Sequence, residues 1–114
     1  MVNESHRKVG NIFFYLEPPE VIPMSFGKEV MNEFDFAQVS CIAAKGDLPL
    51  SFTWSFHGSG LTKDLDIITT PIGSRGSMLV ISSVNFKHKG NYTCTAKNKA
   101  GPRKQSVELK VYGN

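Results

Sequence analysis

Residues 90–101 read GNYTCTAKNKAG, and their first seven positions alternate between polar and apolar side chains. Tyr92, Cys94 and Ala96 fall on one side of an extended chain, because successive side chains of a β-strand point to opposite faces. Cys94 is one of only two cysteines in the chain. The stretch therefore predicts a half-buried strand whose inner face carries one half of a possible disulfide.

Short runs with the same period of two recur along the chain and are separated by turn residues, which is typical of an all-β sandwich or barrel. Pro18, Pro19 and Pro23 mark an edge segment at the start of the folded part, since proline is excluded from central strands. A hairpin turn is predicted at Gly101 and Pro102. The strands are predicted at residues 37–43, 51–56, 66–70, 78–82, 91–97 and 106–111.

The inward positions of three strands explain the two cysteines. The apolar faces of three different strands carry Cys41, Cys94 and Trp54. Two sheets that face each other account for all three placements if a Cys41–Cys94 bond joins the sheets and packs on the indole. Such a bond would close a loop of roughly 50 residues and contribute about 4 kcal/mol. It would also place the chain in an oxidising compartment, outside the cell. The alternative is a pair of unrelated buried thiols.

Tyr92 stands two residues before Cys94, where its hydroxyl can bond back to the loop before the strand. This is the tyrosine corner of the immunoglobulin sandwich. Leu79 is placed in the core by the alternation of its own strand. Together these positions predict an all-β, immunoglobulin-like sandwich of two antiparallel sheets joined by one disulfide.

Composition is that of one soluble globular domain. The chain has 114 residues, 40% hydrophobic and 20% charged, and a length in this range predicts a single domain. A net charge of +3 is too small to indicate nucleic acid. The basic residues of the predicted FG and EF turns could bind an anionic glycan, although a solvated loop is the simpler interpretation: Lys87, Lys89, Lys97, Lys99, Arg103 and Lys104.

Two segments resemble the I-set of immunoglobulin domains. CTAKNKAG (residues 94–101) is similar to the F strand and FG turn of that set, and LVISSV (residues 79–84) to its E strand. The set usually carries an aspartate two residues before the glycine of the EF corner, whereas His88 occupies that position here. The usual pair between this aspartate and an arginine, for which Arg75 is the candidate, is therefore not expected.

Longer stretches resemble the arthropod Down syndrome cell adhesion molecule family. PPEVIPMSFG (residues 18–27) and KGDLPLSFTWS (residues 45–55) are similar to its variable immunoglobulin domain, the seventh in insect forms and the first in shortened chelicerate forms. FKHKG (residues 86–90) is similar to the EF corner of that domain. The resemblance covers about residues 17–112.

This resemblance implies a domain that recognises its own kind. Members of the family are membrane-anchored cell-surface receptors whose variable domains bind identical copies in an antiparallel arrangement, so that cells distinguish self from non-self. The expected localisation is extracellular, with contact to a membrane only through the parent receptor. Two alternatives stay open: a heterophilic receptor or immune-recognition domain, and a structural spacer in a long multidomain protein, which in a reducing cytosol would not need a disulfide.

A self-binding surface is expected on the outer face of the sheet that contains strands B and E. Strand parity directs Ile42, Met78 and Val80 away from the core, and adjacent outward apolar side chains mark interaction sites, although isolated ones are normal on strands. A two-fold contact needs one self-complementary surface. The interface candidates are Gln38, Ser40, Ile42, Ile68, Met78, Val80 and Ser82, with Ile67 as the alternative to Ile68.

No catalytic site, metal site or cofactor is predicted. His6, His57 and His88 lack metal-ligand spacing, and cysteines committed to a buried bridge leave no thiol nucleophile. The sequence contains neither a Gly-x-Ser-x-Gly elbow nor a phosphate-binding loop. The aromatic side chains that single-stranded nucleic acid stacks on are missing from the basic turns.

Asn91 and Asn3 begin N-glycosylation sequons, and a glycan on Asn91 would direct protein contacts toward the opposite sheet. Asn3 belongs to a leader or extension, residues 1–16, that we expect to be flexible and to add a strand. The predicted domain is residues 17–112, and residues 113–114 are its C-terminal boundary.

Overall fold

The computed structural model describes residues 6–9 and 12–113. In this part of the chain, eleven strands are joined by turns, two of which are 3₁₀ turns at Lys63–Leu65 and Phe86–His88, and no α-helix is formed. The strands are β1 His6–Val9, β2 Ile12–Tyr15, β3 Glu20–Val21, β4 Val30–Asn32, β5 Ala37–Lys45, β6 Ser51–Phe56, β7 Ser59–Gly60, β8 Ile67–Ile72, β9 Gly76–Ile81, β10 Gly90–Asn98 and β11 Gly101–Tyr112.

Nine of these strands form two sheets. One sheet has five strands in the order β4-β11-β10-β6-β7, and the other has four in the order β3-β5-β9-β8. Neighbouring strands are antiparallel except for β4, which pairs in parallel with β11. The predicted immunoglobulin-like sandwich is confirmed, with this one parallel pair as a departure from wholly antiparallel sheets.

The core lies between the two sheets and is crossed by the predicted disulfide. Cys41 of β5 and Cys94 of β10 are bonded, with their Cα atoms 6.4 Å apart, and both are fully buried, as are Leu79 and Tyr92. Trp54 packs against this cluster but is only partly buried. Its indole N–H donates to the Ser77 hydroxyl at 2.9 Å, so the tryptophan also links β6 to β9.

The hairpin between β10 and β11 differs from the sequence prediction. Asn98 pairs with Gly101, so the turn consists of Lys99 and Ala100, and the prediction of a turn at Gly101 and Pro102 was wrong. β11 begins five residues earlier than expected. Pro102 is tolerated in this strand because its other neighbour, β4, reaches only residues 110–112, which leaves Pro102 on a free edge.

The N-terminal segment forms a hairpin of its own. β1 and β2 pair with each other, with Val9 opposite Ile12, and make a separate two-stranded sheet. The segment thus contains two strands where one was expected. Asn3 and Asn114, which belong to the predicted leader and C-terminal boundary, lie outside the described residues.

Candidate functional site on the four-stranded sheet

The register of β5, β8 and β9 arranges their outward side chains in three rows across the sheet. None of the nine positions is charged, and five of them are aliphatic. We call this surface the apolar face. Its rows are Gln38, Val80 and Ile68; Ser40, Met78 and Thr70; and Ile42, Gly76 and Ile72.

Six of the seven residues proposed from the sequence lie within these rows, and the seventh, Ser82, is exposed one residue beyond the end of β9. The register also decides between the two isoleucines of β8. Ile67 packs against the core, whereas the Ile68 side chain is 57% exposed. Sequence reasoning missed Thr70 and Ile72, which follow from Ile68 by the period of two.

Gly76 shapes one end of the apolar face. A Cβ atom at this position would lie 2.7 Å from Cδ1 of Ile42 and 3.3 Å from Cβ of Ile72. The absence of a side chain therefore allows Ile42 to lie across β9 toward Ile72. The two isoleucines form one continuous apolar area although a strand separates them.

A groove runs along the β5 side of the face. It has a volume of about 350 Å³ and lies between β5 and the segment that follows β3, lined by Ile22, Pro23, Ser25, Phe26, Gly27, Gln38, Val39, Ser40 and Ile42. Ile22 is 46% exposed. The apolar face is therefore flanked by a concave border of mixed polar and apolar character.

The outer face of the five-stranded sheet has the opposite chemistry. Its cross-strand rows on β6, β10 and β11 are occupied mainly by hydroxyl side chains, and Thr93 and Ser106 are hydrogen-bonded at 2.7 Å between their oxygens. Asn91 of the sequon is exposed on this face, opposite Glu108. The other members of these rows are Ser51, Thr53, Ser55, Thr95, Lys97, Pro102 and Lys104.

The EF corner is organised around His88, which is fully buried. Nδ1 of the ring accepts from the Asn85 backbone N–H at 3.0 Å, so the hydrogen is on Nε2, which donates to the Leu65 carbonyl at 2.6 Å. The Tyr92 hydroxyl donates to the His88 carbonyl at 2.6 Å. Burial raises the pKa of Tyr92, which keeps this hydroxyl a donor.

Arg75 has a different role from the one the I-set pattern suggests. It donates from Nε to the Ala43 carbonyl and from Nη2 to the Gly46 carbonyl, both at 2.9 Å. It is absent from the three ion pairs formed within the described ranges. The arginine thus caps the end of β5.

The remaining surface offers no further candidate site for a metal ion or a membrane span among the described residues. Among residues 6–9 and 12–113, no group of histidine, cysteine and acidic side chains is placed to hold a metal ion. No helix in the same part of the chain is long and apolar enough to cross a membrane. Lys97 and Lys99 are exposed at the hairpin tip, beside a shallow depression formed with Pro49, Leu50 and Ser51.

The sandwich, its bridging disulfide and the tyrosine corner define an immunoglobulin domain, and the sequence model of that family matches residues 18–98. The chain belongs to the immunoglobulin domain family. Within it, the chain is 38% identical over 95 residues to the cell adhesion molecule Dscam1 of Drosophila melanogaster, a match that covers 82% of this chain and 5% of the relative. Human DSCAM is 32% identical over 94 residues, covering 82% of this chain and 4% of the relative.

Solved structures give the same assignment. The seventh immunoglobulin domain of Dscam1, isoform 9, superimposes with a TM-score of 0.77 at 37% identity, covering 82% of this chain and 99% of that domain. The N-terminal eight immunoglobulin domains of DSCAM match with a TM-score of 0.78 at 36% identity, covering 85% of this chain and 12% of the longer one. The chain therefore resembles one Dscam immunoglobulin domain and spans about a twentieth of the length of the curated relatives.

Proposed function

We propose that this chain is an extracellular cell-adhesion domain that binds a second copy of itself through the apolar face. The observation that carries the proposal is the contrast between the two outer faces. Nine uncharged positions, five of them aliphatic, occupy the four-stranded sheet, whereas the five-stranded sheet is covered by hydroxyl and charged groups. The relatives are named cell adhesion molecules, which supports adhesion as the general role.

The geometry of the rows suits a two-fold contact. A two-fold axis that runs along the middle row makes the strands of the two copies antiparallel. It would bring Met78 and Thr70 against the same row of the second copy. The outer rows would then exchange places, so that Ile68 meets Ile72, Val80 lies over Gly76, and Gln38 meets Ile42. Because each chain carries a net charge of +3, an uncharged face also allows two copies to meet with little repulsion.

The first test is sedimentation velocity of the chain and of Met78→Glu and Val80→Glu over a range of concentrations. The wild type should dimerise, and each variant should weaken the dimer about tenfold or more, because a carboxylate would be buried without a partner. Thr95→Glu is the matched control. It lies mid-strand on the other sheet and should dimerise like the wild type.

A charge-pairing experiment tests the position of the axis. Met78→Glu and Met78→Lys should each dimerise more weakly than the wild type when alone, since like charges would face each other, and should associate more strongly when mixed in equal amounts. Association of the mixture requires that residue 78 of one copy lies near residue 78 of the other.

Three outcomes would contradict the proposal. A wild type that stays monomeric at high concentration favours a heterophilic receptor or a spacer. Loss of the dimer in Thr95→Glu would assign the contact to the five-stranded sheet. A mixture of charged variants that stays monomeric, while each variant alone disrupts the dimer, would exclude an axis at Met78.

We also propose that Asn91 carries an N-linked glycan. The side chain is exposed on the polar sheet, and a glycan there leaves the apolar face free. Secretion from an animal cell line followed by intact-mass measurement should show a mass that peptide N-glycosidase removes, and Asn91→Gln should lack it while dimerising normally. An unmodified secreted chain, or a dimer that is altered by Asn91→Gln, would contradict this proposal.

A further inference from the structure

The hairpin of β10 and β11 holds the excess positive charge of the chain. Residues 91–107 contain four basic side chains, Lys97, Lys99, Arg103 and Lys104, whereas all ten acidic residues of the chain lie elsewhere. These four charges exceed the net charge of +3 of the whole chain. The rest of the chain is therefore close to neutral.

The strand register brings two of these cations together on one face. Lys97 and Lys104 lie on the outer face of the five-stranded sheet, in adjacent rows of the β10–β11 pairing, and are diagonal neighbours. Residues in this relation lie about 7–8 Å apart, so the long lysine side chains can reach a common anion. Arg103 pairs with the buried Ala96 and therefore belongs to the opposite face.

Three lysines of the hairpin are exposed without an ion-pair partner among the described residues. Lys97, Lys99 and Lys104 are exposed, and none of them belongs to the three ion pairs formed within residues 6–9 and 12–113. By contrast, Lys87 of the EF corner donates to the Asp64 carbonyl at 2.6 Å and pairs with the Asp66 carboxylate at 3.5 Å. The hairpin lysines are thus available to an anion from outside the domain.

Two carboxylates share this end of the sandwich but are held by backbone groups. The Asn98 side-chain amide donates to the carbonyls of Glu17 and Asp47, at 2.8 and 3.0 Å. The Glu17 carboxylate accepts from the Gly46 N–H at 3.0 Å, and the Asp47 carboxylate accepts from the Glu17 N–H at 2.9 Å. Their positions are therefore fixed by the loop rather than by contact with the lysines.

A depression lies beside the lysines at the tip of the hairpin. It has a volume of about 420 Å³ and is lined by Pro49, Leu50, Ser51, Lys97, Asn98 and Lys99. This volume is within the range of sites that bind small ligands. The lining combines two apolar side chains with a hydroxyl, an amide and two cations, which suits a sugar ring that carries anionic substituents.

We propose that Lys97, Lys99 and Lys104 form a binding site for a sulfated polysaccharide outside the cell. A sugar ring would occupy the depression between the first two lysines, and a sulfate further along the same chain would contact Lys104. The Cys41–Cys94 bond is typical of extracellular domains, which are exposed to such polyanions. A glycan on Asn91 would leave the site open, since Asn91 is six residues from Lys97 along β10, about 20 Å. The site lies on the sheet opposite the apolar face, and the proposal is independent of self-binding.

The test measures binding of a fluorescent heparin oligosaccharide by polarisation at several salt concentrations. The double variant Lys97→Gln with Lys104→Gln should bind about tenfold more weakly than the wild type, with a shallower dependence on salt, because fewer counterions are released. Lys63→Gln with Lys89→Gln is the matched control. It removes the same charge from two exposed lysines near the EF corner, at the opposite end, and should bind like the wild type.

Amide NMR spectra provide a second measurement. Titration of the wild type with the same oligosaccharide should shift the signals of Ser51 and Lys99, which line the depression, and leave that of Val80 on the other sheet unchanged. Shifts confined to other residues would overturn the proposal.

Three binding results would also overturn it. The first is a wild type that does not bind the oligosaccharide at physiological salt. The second is a control variant that is weakened as much as the double variant, which would reduce the interaction to net charge. The third is tighter binding of a DNA duplex or of phosphatidylserine vesicles with the same dependence on the lysines, since the ligand would then be a different polyanion.

Discussion

The double substitution Cys41→Ala with Cys94→Ala is expected to remove about 4 kcal/mol of the free energy of unfolding. The bond joins β5 to β10 across a sequence separation of 53 residues, and it therefore restricts the unfolded chain strongly. Small domains have a total stability of only about 5–15 kcal/mol. The variant should lose a large part of it, and its melting temperature should fall by roughly 15–30 °C.

Urea denaturation followed by the fluorescence of Trp54, the only tryptophan, measures this loss. Wild-type protein treated with a thiol reductant should have the same free energy of unfolding as the double variant. This reduced protein is the control, because it lacks the bond but keeps the packing of both cysteine side chains. A double variant whose free energy of unfolding is close to that of the wild type would show that sheet packing alone sustains the sandwich.

His88→Ala is expected to cost about 3 kcal/mol. The substitution leaves the Leu65 carbonyl and the Asn85 N–H without their partners, at about 1–3 kcal/mol for each buried group, and it also opens a cavity. His57→Ala is the matched control, because His57 is exposed and its ring nitrogen lies 3.4 Å from the Lys89 carbonyl. The control should change stability by less than about 0.5 kcal/mol, as is usual for surface positions.

Denaturant midpoints of the two histidine variants provide the measurement. Hydrogen exchange should additionally become faster at Asn85 in His88→Ala, since its N–H loses the acceptor on the ring. Equal midpoints for His88→Ala and His57→Ala would mean that the buried ring does not hold the EF corner. The Tyr92 hydroxyl and the contacts of Lys87 with the Asp64 carbonyl and the Asp66 carboxylate would then hold it.

The fold could be predicted from the sequence because each strand repeats the same parity. Cys41, Trp54 and Cys94 fall on inward positions of three strands. Because side chains alternate between the two faces of a strand, fixing one residue as inward also fixes the face of every other residue in that strand. The placement of Ile42, Met78 and Val80 on one outer face followed from the same rule. The choice between Ile67 and Ile68 required the register, which short strands do not encode locally.

Other features could not be predicted from the sequence, because they depend on contacts between segments that are distant in the chain. The partner of the His88 ring is a carbonyl 23 residues earlier, and nothing near His88 identifies it. The role of Arg75 depends on the carbonyls at the end of β5. The exposure of Phe34 and Tyr112 depends on where β4 and β11 end, and aromatic residues in those positions otherwise suggest core strands.

Gly76 determines the shape of the apolar face around it, because it has no side chain. Any larger residue would lift Ile42 by roughly the height of a methyl group, since its Cβ would start 2.7 Å from the isoleucine. In a two-fold contact between two copies, such a protrusion occurs once on each copy, so it alters the contact at two places. A larger residue here would thus alter the fit with a second copy of the chain, and it would also press on the Cys41 backbone carbonyl oxygen, which lies 3.0 Å from the Cβ position.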